Sequence, residues 1–148
     1  MTREDLKSIP ALASSIAYKE EALRDLRDAA ISLSSPELGM RAQRGTYSDR
    51  TGTFAGRIID LEAEIRNEYL RLAELRLEAL NLFKALPDLQ RAVMGLRYVV
   101  GLPWQDVADA AGIVEDYCFT LRRKSLKALF DDTQPSPVQT PNEGQLQK

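Results

Sequence analysis

Histidine is absent from this chain, and cysteine occurs once, as Cys118. Without histidine, imidazole acid–base and nucleophile-activating chemistry is excluded. One thiol without an imidazole does not make a zinc site, and a single cysteine cannot close an intrachain disulfide. A lone thiol fits a reducing compartment, so the expected location is cytoplasmic. Glycine is scarce, at 8 of 148 residues, and strand-type alternation is missing, so an all-α chain is expected. No apolar run approaches the ~20 residues that span a bilayer, and no membrane partner is expected. The first residues, MTREDLKS, carry acids and no apolar stretch, unlike a signal peptide. A strong charge of one sign is also lacking: 20 Lys and Arg stand against 22 Asp and Glu, a net −2. Any nucleic-acid binding must therefore come from a local basic patch. Nothing in the chain proposes catalysis or a cofactor, and a non-enzymatic protein is expected.

What is present is helical periodicity. Residues 2–33 open with Thr2 and Asp5, spaced like a capping box with Asp in place of Glu. Ser8 is a second candidate cap, and Pro10 either starts the main helix or kinks a longer one. Beyond it, Ile9, Leu12, Ile16, Lys19, Leu23, Leu26, Ala30 and Leu33 fall at alternating three- and four-residue steps, a heptad seam with one polar break. Residues 34–53 hold Ser, Pro and Gly without periodicity and read as a long loop carrying Arg41, Arg44 and Arg50. Those arginines are either solvated or a second nucleic-acid or polymerase contact. From residue 54 to 85 a second helix repeats the seam at Ile58, Leu61, Ile65, Glu68, Leu72, Leu75, Ala79, Leu82 and Leu86. Two seams joined by a loop predict an antiparallel helical hairpin over residues 1–85. Laid side by side, Leu26 meets Leu61, Leu23 meets Ile65, Ile16 meets Leu72, and the two polar breaks, Lys19 and Glu68, meet each other. The seams are either intramolecular or the faces of a homodimer, and the two polar residues are either a register pair or solvated seam-edge groups.

Residues 86–130 read LPDLQRAVMGLRYVVGLPWQDVADAAGIVEDYCFTLRRKSLKALF. Pro87 suits a first helical turn, Gly101 a left-handed helix exit, and Gly112 the sharp turn between two helices. Leu89, Val93, Leu96 and Tyr98, then Val107, Ala108 and Ala111, then Ile113, Cys118, Leu121, Leu126 and Leu129 are the expected core. Trp104 is expected half-inward, as a core-edge aromatic or with its indole N–H on a phosphate. This is the layout of a helix-turn-helix, whose second helix enters the major groove. Glu115, Asp116, Phe119 and Thr120 lie where base edges are reached, and Arg122, Arg123, Lys124 and Lys127 follow as candidate phosphate contacts. Over residues 87–130, six bases (Arg91, Arg97, Arg122, Arg123, Lys124, Lys127) and five acids (Asp88, Asp106, Asp109, Glu115, Asp116) leave only +1. The tail, 131–148, has three prolines and few apolar residues, and is expected to be disordered.

The run LPDLQRAVMGLRYVVGLPWQDVADAAGI with the downstream RKSLKAL resembles region 4 of sigma-70-type factors, which reads the promoter −35 element. The wider layout over residues 2–130 resembles small phage regulators of late transcription of the ArpU and RinA type. That resemblance implies double-stranded DNA and RNA polymerase as partners, and Asp116 matches a family acid that accepts from cytosine. At the recognition-helix cap the family usually has Ser or Thr where this chain has Val114, and a base where it has Glu115. Tyr117 and Phe119 also replace residues that are often polar or basic. The expected function is a DNA-binding transcription regulator acting on late-gene promoters. Two alternatives stand beside it. One is a small terminase-like DNA-packaging subunit, which would form a large ring. The other is a protein-interaction module that binds a polymerase or sigma surface.

Overall fold

The computed structural model describes residues 1–33 and 44–131, the side chains of 44–51 excepted. Among them there is no β-strand, and the chain is all-α as expected. The elements are α1 (Arg3–Leu33), α2 (Arg44–Phe83), α3 (Asp88–Met94), a π-helical turn (Gly95–Val100), α4 (Trp104–Ala111) and α5 (Glu115–Phe130). No described helix is long and apolar enough to cross a membrane. Two compact units divide the chain: Asp5–Glu78, and Met1–Glu4 together with the chain from Ala79 on.

In the first unit α1 starts directly after Thr2 and runs through Pro10. Pro10 has no N–H to give the turn before it, and Ser8 Oγ donates to the Asp5 carbonyl at 2.6 Å in that same turn. The seam residues of both long helices are all buried or half-buried. Cross-links between α1 and α2 run in antiparallel order. Asp5 pairs with Arg71, Lys19 with Glu68 and Glu64, and Arg27 with Glu62, at 3.9, 2.6, 3.3 and 3.3 Å. The Tyr69 hydroxyl donates to Glu20 at 2.7 Å. Lys19 therefore meets Glu68, the pairing that seam arithmetic expects.

Two features of α2 depart from the sequence reading. Residues 44–53, expected as the second half of a loop, are helical, so Arg44 opens α2 and Arg50 lies within it. The physical reason is that nucleation, not extension, is the costly step of helix formation. Carrying the helix back through Gly45 and Gly52 costs only about 1 kcal/mol per glycine relative to Ala, and no proline intervenes between residues 44 and 83 to stop it. The remainder of that loop, with Arg41, and the tail after Asp131 lie outside the described residues. The second feature is an additional apolar stripe. Ile59, Ala63, Arg66, Leu70, Ala73 and Leu77 recur at steps of four and three on the side of α2 opposite its seam. Ile59, Leu70 and Leu77 are more than 60% exposed there.

In the second unit α2 ends at Phe83. The N–H groups of Lys84, Ala85 and Leu86 turn back onto the carbonyls of Asn81, Leu82 and Phe83. Pro87 then occupies the N-cap of α3 with φ −57°. The core holds Val93 of α3, Val107 and Ala108 of α4, and Cys118 and Leu121 of α5, with Leu96, Leu102, Trp104, Ala111 and Ile113 packed around them. Helices α3, α4 and α5 each pack against the other two. The expected core is present with two changes. Leu89 is 37% exposed, whereas Met94 is fully buried. Tyr98 is buried within the π-helical turn, four residues after Met94. Phe83 and Tyr98 stack with ring centroids 6.2 Å apart.

Candidate nucleic-acid interface

Two glycines set the geometry of this region. Gly101 takes φ 92° as the π-helical turn ends, and its N–H and that of Leu102 both donate to the Leu96 carbonyl at 3.1 and 3.0 Å. Gly112 takes φ 72° and ψ 32° between α4 and α5. The Ile113 N–H returns to the Ala108 carbonyl at 3.0 Å, closing the turn. Left-handed backbone of this kind favours glycine, so both turns are written into the sequence.

Helix α5 begins at Glu115. Its N-cap, Val114, offers no side-chain hydrogen bond to the first turn. Glu115 and Asp116 stand in that turn and Lys127 in the last, so the charges follow the helix dipole from end to end. Cys118, Leu121, Ser125 and Leu126 form the buried side. The opposite side carries Asp116, Thr120, Arg123 and Lys127, at steps of four, three and four. This outward stripe is roughly 16 Å long at 1.5 Å per residue. Asp116, Arg123 and Lys127 are exposed and Thr120 is half-buried. Thr120 Oγ1 donates to the Asp116 carbonyl and accepts from Arg123 Nη2, both at 3.4 Å. Glu115 and Phe119 border the stripe on one edge and Lys124 on the other, all three exposed.

Arg122 is placed differently from the other three cations. It lies beside the buried side of α5, and its Nε donates to the Tyr98 hydroxyl at 3.0 Å. This contact gives the buried phenol a partner and ties α5 to the π-helical turn. Two more of the six bases within residues 87–130 are also engaged internally. Arg91 pairs with Asp88. Arg97 lies over the face of Trp104, 5.2 Å from the ring centroid, while its Nη1 donates to the Leu102 carbonyl at 3.0 Å. The local patch expected from sequence thus reduces to Arg123, Lys124 and Lys127.

Trp104 is half-buried against the core, and it meets Phe119 edge-on at 5.3 Å and 61°. Arg97, Trp104 and Phe119 form one continuous line of contacts from the π-helical turn to the rim of the stripe. Sequence reasoning counted Arg97 only as a charge and missed this role. Ser125 was missed as well. It is fully buried, with Oγ 2.8 Å from the Leu121 carbonyl and 3.1 Å from Gln90 Oε1, so its hydroxyl joins α5 to α3. Burial raises the thiol pKa of Cys118 above the ordinary cysteine range, and the Glu115 charge adds to the shift. No protein-family model, curated protein or solved structure matches this chain.

Proposed function

We propose that this protein is a DNA-binding transcription regulator of the sigma region 4 type, in which α4, the Gly112 turn and α5 act as a helix-turn-helix after an antiparallel helical hairpin. The observation that carries this reading is the outward stripe of α5, which ranks Asp116 and Thr120 ahead of Arg123 and Lys127 on one exposed side. A helix so laid in the major groove would aim its N-terminal residues at base edges and its cations at phosphates. The resemblance of residues 86–129 to sigma region 4 supports the same reading, and the phage late-regulator layout supports RNA polymerase as the second partner. Fewer outward cations than sequence counting gives fit a protein that binds its site together with polymerase.

The test is selection of duplexes from a random pool, followed by titration of the enriched site at several salt concentrations. Removing Arg123 and Lys127 together should weaken every duplex about equally and reduce the salt slope by roughly two. Failure to enrich any duplex, or an unchanged slope in that variant, refutes the reading. One observation favours the second reading, a module that docks on protein: Val114 is 71% exposed and Tyr117 42%, beside the two acids of the first turn. RNA polymerase binding that depends on Val114 and Tyr117, with no duplex binding at any salt, would establish it. A ring-shaped oligomer in mass measurement would instead point to DNA packaging.

A further inference from the structure

Phe119 is an apolar side chain held at the point where the proposed function calls for base reading. It is 38% exposed on the rim of the α5 stripe, three residues after Asp116. Trp104 meets it edge-on at 5.3 Å, and Trp104 is in turn covered by Arg97, whose guanidinium is anchored on the Leu102 carbonyl. A chain of three contacting groups therefore supports the phenyl ring from one side and leaves part of it exposed at the rim of the stripe.

The edges of base pairs in the major groove are mostly hydrogen-bond donors and acceptors, and the C5-methyl of thymine is the one apolar group larger than a ring hydrogen among them. A phenyl ring against a donor or acceptor would strip its water and return no hydrogen bond. Against the methyl it would bury apolar surface on both sides. The rise from Asp116 to Phe119 is about 4.5 Å along the helix, close to one base-pair step of about 3.4 Å. We infer that Phe119 is a specificity-determining residue that selects a thymine by its methyl group, within one or two base pairs of the position read by Asp116. The inference rests on the DNA-binding reading above and adds the chemistry of one base.

The experiment uses the full chain and the duplex enriched by selection, with each thymine replaced in turn by deoxyuridine, which removes the methyl and nothing else. One such replacement should weaken wild-type binding about three- to five-fold, the value of one buried methyl group. It should lie within two base pairs of the position whose preference Asp116→Ala relaxes. Phe119→Ala should bind thymine and uracil duplexes alike, and Phe119→Leu should keep part of the discrimination. Wild-type binding that ignores every uracil replacement overturns the inference while leaving the DNA-binding reading intact. Discrimination that persists in Phe119→Ala overturns it in the same way. If no duplex is enriched at all, both fall. If Phe119→Ala weakens binding to RNA polymerase and leaves the uracil response unchanged, the ring is a protein contact and the inference is wrong.

Discussion

Gly95 and Gly112 allow the turn that sets the α5 stripe to be tested by one substitution made at two places. A Cβ added at either position meets nothing within 4 Å, so crowding contributes to neither. The backbones differ: Gly95 has φ −63° and ψ −45°, ordinary helical values, whereas Gly112 has φ 72° and ψ 32°. Replacing glycine by alanine stiffens the unfolded chain by the same amount at both, worth about 0.4–1 kcal/mol in favour of folding. At Gly112 the left-handed conformation then costs an alanine about 1–2 kcal/mol, and at Gly95 it costs nothing. Gly95→Ala should stabilise, and Gly112→Ala should fall below it by about 1–2 kcal/mol. Trp104 is the only tryptophan and lies in the same unit as both glycines, so its fluorescence in urea reports on the surroundings of both. With a slope of about 1–3 kcal/mol per molar, the two midpoints should separate by about 0.3–2 M. Gly112→Asn should lie between them, since asparagine tolerates the left-handed region better than alanine. Equal midpoints, or a more stable Gly112→Ala, would refute the claim that this turn requires a positive φ. A further consequence concerns function: Gly112→Ala should weaken binding to the selected duplex under conditions where it is fully folded, because α5 leaves the turn at a different angle.

The hairpin pair and the buried thiol give two more expectations. Lys19→Leu alone should lower the melting temperature more than both changes together, since it leaves the Glu68 charge against an apolar seam, and Glu68→Leu should cost less because Lys19 keeps Glu64 at 3.3 Å; additive losses would show that the pair does not couple. The hydrogen bond to Glu68 raises the Lys19 pKa against the opposing effect of desolvation, and the bond to Glu20 raises that of Tyr69. Both contributions to stability are therefore complete below the ordinary Lys and Tyr ranges and are lost as pH climbs through the raised values. The double Leu variant should show a shallower alkaline loss of stability than wild type, and parallel curves would contradict the sign. Cys118, with no exposed surface and a thiol pKa pushed up by burial, should react with a thiol reagent only as fast as its unit opens. Labelling at the rate of an exposed thiol in native buffer would remove it from the core.

The parts of the fold that were readable from sequence are those where one residue type answers to one constraint. Lys19 and Glu68 were legible because a charge interrupts each heptad seam once, and the only register that joins the breaks also matches Leu23 to Ile65. Gly101 and Gly112 were legible because each follows the last apolar residue of a helical pattern, where a left-handed exit is needed. The start of α2 was not legible. The local signals at Gly45 and Gly52 say loop, whereas the helix that follows decides the matter cooperatively. The π-helical turn was hidden for a related reason. Periodicity assumes a constant 3.6 residues per turn, and one wider coil of six residues leaves no separate mark on it. The second stripe of α2 was passed over because Ile59, Leu70 and Leu77 lie outside the seam already assigned, although their spacing is as regular.

At the candidate interface, sequence delivers the helix but not the allotment of its charges. Arg122, Arg123 and Lys124 are consecutive and chemically alike, and composition treats them as one basic cluster. Their angles about α5 separate them: Arg123 falls opposite Cys118 and Leu121, whereas Arg122 falls beside them and takes the Tyr98 hydroxyl as its partner. Helical geometry could have found the first half of that division, since the buried side of α5 was already assigned. The second half needed the position of Tyr98, which depends on the π-helical turn and so on tertiary packing. The same holds for Arg97, whose stacking on Trp104 converts a nominal DNA-facing charge into support for an aromatic ring. What remains outward is a stripe in which acid precedes base along the helix. That order also suits the helix dipole, with Glu115 and Asp116 in the first turn and Lys127 in the last. Phe119, packed edge-on against Trp104 at the rim of that stripe, adds an apolar group beside the acid, and the uracil substitutions read whether that group meets a thymine methyl.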